Sequence, residues 1–155
     1  MEKRGMDSQT KILFHEEWLK QWQADPFKTF PIYVEISPTG RCNHRCTFCA
    51  FDYIGYKKRL LSTELLVDRL TEMGSLGVKA VQFAGEGEPL LHDGLSVIMQ
   101  ATHAVGIDIS MLTNAVLLKP EFVDHTLHAI TWFQASINAG TAETYHKVHR
   151  VNPRD

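Results

Sequence analysis

The feature that most constrains the fold is a regular alternation of strand and helix patterns along most of the chain. Strand patterns occupy residues 32–37, 78–84, 107–113 and 132–138. Single helix patterns lie between them, from Ser62 to Gly77, from Asp93 to about Val105 and from Pro120 onward. Strands joined by single helices are typical of βαβ units, which build a parallel sheet with right-handed connections. The sequence therefore predicts an α/β fold with four strands, either a doubly wound sheet or part of a βα barrel, and both place their chemistry at the carboxyl ends of the strands.

The strands carry polar residues at alternate positions, although parallel strands covered on both faces are almost continuously apolar. The polar residues of this pattern are Glu35, Ser37, Gln82, Asp108, Ser110, Gln134, Ser136 and Asn138. Because successive side chains of a strand point to opposite faces, one face of the sheet is predicted to be polar. A ligand-lined cavity explains such a face, and so does a strand that lies at an edge or faces solvent.

The residues before the first strand have a different pattern. Over residues 8–24, apolar residues at helical spacing stand among charged ones: Ile12, Leu13, Trp18, Leu19 and Trp22. This spacing predicts an amphipathic helix that ends before Asp25 and Pro26. No linker rich in Pro, Gly or Ser divides the rest of the chain. The predicted organisation is a helical extension over residues 1–29 and one core domain over residues 30–155.

Charge and cysteine content narrow the class of partner. The net charge of −2 gives no general electrostatic reason to bind nucleic acid or an anionic membrane. No apolar run reaches the roughly 18 residues of a membrane span, and the first residues lack the apolar stretch of a secretion signal, so a cytoplasmic location is expected. The three cysteines lie within eight positions, which argues against a disulfide framework and for metal or redox chemistry in a reducing compartment.

The cysteines form the spacing C-x3-C-x2-C, with Cys42, Cys46 and Cys49 directly after the first strand. One loop of this length can fold around a compact metal centre. Structural zinc sites take four ligands, so three cysteines fit zinc poorly unless His44 is recruited. A four-iron cluster held by three thiolates leaves one iron open to a substrate or cofactor. Neighbouring Arg41 and Arg45 would offset the negative charge of such a cluster, or are ordinary solvated loop charges.

This motif resembles the hallmark of the radical S-adenosylmethionine (radical SAM) enzymes, C-x3-C-x-aromatic-C after the first strand of a partial βα barrel. Here it reads CNHRCTFC, residues 42–49. The resemblance implies that Cys42, Cys46 and Cys49 hold a [4Fe-4S] cluster. It also implies that S-adenosylmethionine chelates the fourth iron through its amino and carboxylate groups, and that Phe48 borders the adenine.

Loops after the later strands extend the resemblance over about residues 30–150. GEGEP, residues 85–89, is similar to the family's Gly-Gly-Glu-Pro motif, which implies that Gly87, Glu88 and Pro89 meet the cofactor, with Glu86 in place of the usual first glycine. Without the cysteines, the same residues are simply a strand-to-helix turn. The turn at 113–115 resembles the family's Thr-Asn-Gly and implies a weak role in lining the pocket.

The fourth strand ends in SINA, residues 136–139, which is similar to the family's Ser-Leu-Asp-Ala stretch. The resemblance implies that Ser136 and Asn138 approach the cofactor; a satisfied polar strand end is the other interpretation. Four histidines at i, i+3 spacings lie on predicted helices or their flanks. Because exposed helical histidines are more often surface residues than ligands, no metal is assigned to them: His125, His128, His146 and His149.

The activity that the resemblance implies is reductive cleavage of S-adenosylmethionine to a 5′-deoxyadenosyl radical, which abstracts hydrogen from a substrate. An electron donor such as flavodoxin or ferredoxin is then expected. The strand-four stretch is most similar to members with a C-terminal SPASM/twitch-type auxiliary cluster domain, which modify peptides or proteins, so a peptide or protein substrate is expected. Sugar- or nucleoside-derived substrates stay open, and the balanced charge disfavours RNA.

Chain length limits the resemblance to the first four units of a core that usually has six. A truncated gene product or fragment is therefore expected, with an open sheet edge that self-associates or needs a complementing chain. The alternative function is a noncatalytic iron–sulfur or zinc-binding module that keeps the cysteine loop and lacks an active cavity.

Overall fold

A computed structural model describes residues 12–151 of the chain. Residues 1–11 of the predicted extension lie outside the described residues, and so does the start of the helix predicted over residues 8–24. Its described part is a 3-10 turn, Ile12–His15, followed by helix α1, Glu16–Ala24. No residue of α1 is buried. The indole N–H of Trp18 donates to the carbonyl oxygen of Phe30 at 2.7 Å, which connects α1 to the segment before β1. The division into an extension and a core domain stays a prediction.

The described chain forms one parallel sheet of four strands. These are β1, Tyr33–Ile36; β2, Ala80–Phe83; β3, Asp108–Thr113; and β4, Ile130–Ala135. Their order in the sheet is β1-β2-β3-β4, and every neighbouring pair is parallel. A doubly wound sheet reverses its strand order at a switch point, whereas a barrel adds each new strand on the same side. The predicted α/β fold is confirmed, and this order identifies it as part of a βα barrel.

Helices fill the connections as predicted. Helix α3, Thr63–Ser75, joins β1 to β2; α4, Leu95–Ala104, joins β2 to β3; and α5, Pro120–Thr126, with its 3-10 extension Leu127–Ala129, joins β3 to β4. Ser62 caps α3, because its hydroxyl oxygen accepts the backbone N–H of Leu65 at 3.1 Å. Two more helices flank the site: the short α2, Ala50–Ile54, within the first connection, and α6, Ala142–His149, after β4.

The apolar core lies on one face of the sheet. Val81, Phe83, Ile109 and Met111 are fully buried there against α3 and α4, whose buried residues include Leu66, Leu70, Leu95, Ile98 and Met99. The register of the strands places five of the predicted polar residues on the opposite face: Glu35, Gln82, Asp108, Ser110 and Gln134. The other three, Ser37, Ser136 and Asn138, lie beyond the ends of the strands.

A hydrogen-bonded polar row crosses that opposite face. Gln82 Nε2 donates to Glu35 Oε2 at 3.2 Å, and the Ser110 hydroxyl donates to Gln82 Oε1 at 3.4 Å. These side chains occupy one register row of β1, β2 and β3. In a barrel the face without helices is the inner one, so the polar row lies on the inner face of the partial barrel.

Strand β4 differs from its predicted position. It begins two residues before the predicted segment and ends three residues before that segment's end, so the sequence SIN leaves the sheet. A register shift against β3, between Ile109 and Ser110, accompanies the change. Among the described strands β4 pairs only with β3, and it exposes half of Trp132. No helix among the described residues is long and apolar enough to cross a membrane.

Candidate metal centre and cofactor cavity

The cysteine loop leaves the carboxyl end of β1 and brings all three thiols to one cavity. Cys42, Cys46 and Cys49 are each half-buried, none is in a disulfide, and all three line that cavity. The loop turns tightly, because the backbone N–H of Cys49 donates to the carbonyl oxygen of Cys46 at 3.0 Å. The backbone N–H of His44 also points at Cys42 Sγ, 3.4 Å away. Local backbone hydrogen bonds thus gather the thiols before any metal is added.

Helix α6 holds the other side of this loop. Its last carbonyl oxygens accept two N–H groups of the loop: Val148 accepts from Thr47 at 2.9 Å, and His149 accepts from Arg45 at 3.0 Å. Carbonyl oxygens at the end of a helix have no hydrogen-bond partner within it. The loop N–H groups supply those hydrogen bonds, and the same bonds hold the loop against the helix end. The cysteine loop is therefore set by a segment that follows the fourth strand.

The side chain of His149 reaches the thiols directly. It is 1% exposed, with Nε2 2.8 Å from the carbonyl oxygen of Ile137 and Nδ1 3.1 Å from Cys46 Sγ. A carbonyl oxygen only accepts hydrogen bonds, so Nε2 carries a proton. In the neutral imidazole Nδ1 then accepts from the Cys46 thiol. His44, Cys46 and His149 have ligand atoms within 4.8 Å of one another, a group able to hold a metal ion.

Tyr56 and Arg45 support the third cysteine. The Tyr56 hydroxyl lies 3.1 Å from Cys49 Sγ, and the Arg45 guanidinium lies over the Tyr56 ring, 4.7 Å from its centroid. Arg45 also donates to the carbonyl oxygen of Cys42 at 2.8 Å and pairs with Asp52 at 3.5 Å. These contacts show that Arg45 helps to build the loop, so it is not simply a free solvated charge, and its predicted role in offsetting cluster charge stays a prediction.

The raised pKa values of Cys42 and Cys46 favour their protonated form. Burial, followed by the neighbouring thiols Cys42 and Cys49, raises the pKa of Cys46 to about 11, and burial also raises the pKa of Cys42. Burial and the contact with Cys49 raise the pKa of Tyr56. The metal-free thiols of Cys42 and Cys46 are thus protonated near neutral pH. A metal that binds here must displace these protons, because thiolates are the ligands.

The GEGEP loop after β2 packs directly on the cysteine loop. Gly87 has φ +88°, and a Cβ atom there would collide with the carbonyl oxygens of Thr39 and Arg41. The next residue adds a backbone bond, from the N–H of Glu88 to the carbonyl oxygen of Arg41 at 2.7 Å. Gly87 is therefore required here for the approach of two protein loops, whichever ligand the cavity accepts.

The carboxylate of Glu88 joins this loop to the one after β3. It is 2% exposed and accepts three hydrogen bonds: from Leu90 N–H at 3.0 Å, from the Thr113 hydroxyl at 2.5 Å and from Asn114 N–H at 2.8 Å. Asn114 in turn donates through Nδ2 to Asn43 Oδ1 at 2.8 Å. The loops after β1, β2 and β3 thus form one hydrogen-bonded unit, with Glu88 at its centre.

The cavity between these loops has a volume of about 250 Å³ and opens to solvent. Besides the three cysteines, four of the predicted site residues line it: Phe48, Gly87, Glu88 and Ser136. Pro89 and Asn138 are not among the lining residues; Pro89 is buried in a 3-10 turn, and Asn138 is exposed with φ +50°.

Sequence reasoning missed two lining residues that touch the thiols, Tyr56 and His149. Tyr56 follows the motif by seven residues with no pattern to single it out, and His149 is 103 residues from its sulfur partner. His149 shares its i, i+3 spacing with surface histidines, so only the three-dimensional structure identifies it.

Comparison with known proteins agrees with the geometry. The family model of the Radical SAM superfamily matches residues 36–155. This chain belongs to the radical SAM superfamily. The predicted family is therefore confirmed, and with it the cofactors of that superfamily, a [4Fe-4S] cluster and S-adenosylmethionine. The known members that this chain resembles are enzymes, as predicted.

Two curated relatives are GTP 3′,8-cyclases. The chain is 35% identical to the enzyme of Aquifex aeolicus over 127 residues and 32% identical to a probable one of Methanothermobacter marburgensis over 120 residues, in both cases across 77% of this chain. The matches cover 36% and 39% of those relatives. The chain thus spans well under half the length of the relatives it matches.

A solved structure shows the same fold. SuiB of Streptococcus suis, crystallised with S-adenosylmethionine and with the precursor peptide SuiA, superposes with TM-scores of 0.71 and 0.72. The match covers 97% of this chain and about a third of SuiB, at 18% identity.

Proposed function

We propose that this chain forms the cofactor-binding part of a radical SAM enzyme in which Cys42, Cys46 and Cys49 hold a [4Fe-4S] cluster. The observation that carries the proposal is the convergence of three thiols from one loop on an open cavity, in a chain that has no fourth cysteine. Three thiolates leave one iron without a protein ligand, so a small molecule in the cavity can complete its coordination. The donor set therefore fits the cluster that the family uses.

The chain's own groups around the cavity suit S-adenosylmethionine. Phe48 is exposed at the rim, where an aromatic face can cover the adenine ring. Ala84, Gly85 and Gly87 place backbone at the carboxyl end of β2, where carbonyl oxygens can accept from an ammonium group. Ser136, just after β4, also lines the cavity and offers a hydroxyl. Glu88 and Pro89 would act by shaping the loop, and Asn138 would need to turn inward to reach a ribose.

The chemistry supplied by the bound cofactors is reductive cleavage of S-adenosylmethionine to a 5′-deoxyadenosyl radical that abstracts hydrogen from the substrate. The protein's part is to orient the cofactor and to keep water from the reacting atoms. Hydrogen bonds through Glu88, Asn114 and α6 join the described loops around the cavity. An electron donor of the flavodoxin or ferredoxin kind would deliver the electron.

We propose a peptide or protein as the substrate, on the resemblance of the SINA stretch to peptide-modifying members. The inner face of the described strands is consistent with this, because it bears the carboxylates of Glu35 and Asp108 and no lysine or arginine. A nucleotide is the second candidate, favoured by the similarity to GTP 3′,8-cyclases. Its triphosphate would need basic residues from outside these strands, since like charges repel.

Self-association through the open edge is a separate proposal. The exposed backbone edge of β4 and the exposed side chains of Trp132 and Phe133 could pair with a second chain. Sedimentation velocity over a hundredfold concentration range tests it. Phe133→Lys should shift the chain toward monomer, whereas Val97→Lys, on the exposed surface of α4, should leave the distribution unchanged.

Anaerobic reconstitution with iron and sulfide tests the main proposal. The wild-type chain should bind about four irons, and S-adenosylmethionine should change the electron paramagnetic resonance spectrum of the reduced cluster. Cys46→Ala should abolish loading, while Thr47→Ala, an exposed neighbour, should not. Reduction should then release 5′-deoxyadenosine. Failure to bind about four irons, or an unchanged spectrum with S-adenosylmethionine, would overturn the proposal. Binding of one zinc in a separate titration would then support the noncatalytic alternative.

A further inference from the structure

Tyr56 makes a contact with the cysteine set that none of the assigned roles explains. Its hydroxyl oxygen lies 3.1 Å from Cys49 Sγ, within hydrogen-bond reach of a sulfur atom. Tyr56 lies outside the C-x3-C-x2-C motif, at the start of the segment that leads from α2 to α3. The contact therefore joins a residue outside the motif to one of the proposed ligands.

The tyrosine ring is held in place by its surroundings. The Arg45 guanidinium covers one face of the ring at 4.7 Å from the centroid. Arg45 is itself fixed by its donation to the carbonyl oxygens of Cys42, at 2.8 Å, and His44, at 2.6 Å. The ring is half-buried and borders the same cavity as the thiols. The hydroxyl is thus presented to Cys49 by a constrained side chain.

The direction of the hydrogen bond follows from the chemistry of the two groups. In the metal-free chain either atom can donate, because a thiol and a phenol each carry a proton. A cysteine that ligates iron is a thiolate, which can only accept. The bond to the loaded site therefore has Tyr56 as donor and Cys49 as acceptor.

We propose that Tyr56 is a positioning residue that donates a hydrogen bond to Cys49 Sγ and thereby raises the reduction potential of the bound cluster. The inference rests on the proposed function, since it requires Cys49 to be a cluster ligand. Hydrogen bonds to the sulfurs of an iron–sulfur cluster are among the determinants of its potential, and ligand partners outside the metal's own coordination tune the metal. A donor stabilises the reduced form more, because that form carries one more negative charge.

The experiment compares Tyr56→Phe with the wild-type chain after anaerobic reconstitution. Phenylalanine keeps the ring under Arg45 and removes only the hydroxyl. The midpoint potential is measured by a redox titration followed by electron paramagnetic resonance. We expect the ratio of reduced to oxidised cluster at the wild-type midpoint to fall about tenfold in Tyr56→Phe, which corresponds to about 59 mV for one electron. Tyr53→Phe is the matched control, because Tyr53 lies three residues away and is 92% exposed.

A second measurement identifies the proton. Electron–nuclear double resonance of the reduced wild-type cluster should show an exchangeable proton coupling that disappears in D2O, persists in Tyr53→Phe and is absent from Tyr56→Phe. Tyr56→Met, which also lacks a donor, replaces Tyr56→Phe if that variant does not fold.

The outcomes separate the two proposals. Equal potentials and an unchanged exchangeable coupling in loaded Tyr56→Phe would overturn the inference and leave the proposed function standing. A wild-type chain that assembles no cluster would overturn the proposed function and the inference together. A lower potential in Tyr56→Phe alone, with iron content equal to wild type, supports the inference, because a merely structural tyrosine would reduce loading without moving the potential of the clusters that form.

Discussion

Replacement of Glu88 tests whether its carboxylate serves the fold or the cofactor. The side chain is buried and accepts hydrogen bonds from Leu90, Thr113 and Asn114. A hydrogen bond to a charged group contributes about 1.5 to 3 kcal/mol, and the cost of burying the carboxylate offsets part of the total. We expect Glu88→Ala to lower the free energy of unfolding by about 3 to 5 kcal/mol. Glu88→Gln, which keeps one acceptor oxygen but turns an N–H group toward another donor, should lower it by about 1 to 3 kcal/mol.

Guanidinium unfolding of the metal-free chain, followed by circular dichroism, measures these losses. Glu86→Gln is the control, because it removes a carboxylate two residues away in the same loop. That carboxylate pairs with exposed Arg59 at 3.1 Å, so its loss should cost less than about 1 kcal/mol. If Glu88→Ala is as stable as Glu86→Gln but the loaded chain no longer binds S-adenosylmethionine, Glu88 is a direct cofactor ligand and the loop-joining role is refuted.

Three further predictions follow from the loops around the cavity. Gly87→Ala should destabilise the chain by about 2 kcal/mol or more in thermal unfolding, because its φ of +88° and the nearby carbonyls exclude a side chain; Gly140→Ala, with open space around it, should not. His149→Ala should bind less iron on reconstitution and unfold about 2 kcal/mol more easily, since it loses its contacts with Cys46 and Ile137; normal iron content would contradict this. The pKa of Cys46 is raised to about 11 in the folded chain, so its contribution to the free energy of unfolding should be full below the ordinary thiol pKa of 9 and lost as pH rises toward 11. Unfolding curves at both ends of that pH window measure the loss, which should be smaller in Cys46→Ser.

Local patterns were sufficient to predict the four strands and the three helices that connect them, but not the short helix α2. The residues that specify the helix after Ser62 and the strand around Val81 lie within or next to each element, so the sequence alone shows why each element forms. Strand order is different, because both a doubly wound sheet and a barrel are built from the same βαβ units. The start of β4 was also misplaced, since nothing local marks the register shift at Ile109 and Ser110.

The site shows the same limit more sharply. The three cysteines lie in one loop, so their convergence follows from the spacing alone. Glu88 was predicted to meet the cofactor, but its hydrogen-bond partners Thr113 and Asn114 lie 25 and 26 residues away, on the next strand and loop. A buried carboxylate that joins loops and one that faces a ligand have the same one-letter pattern. The distances between the loops reveal the joining contacts, and the predicted contact of Glu88 with the cofactor stays a prediction.

The docking of α6 on the cysteine loop also has a consequence for the order of events during synthesis. His149 is 103 residues beyond the cysteine that it contacts. At about 5 to 20 residues per second, the thiols leave the ribosome roughly 5 to 20 s before the helix end that holds Arg45 and Thr47 exists. The loop is first exposed without its carbonyl partners, and long-range contacts of this kind form late in folding. Iron delivery to this protein is therefore expected to follow the synthesis of α6.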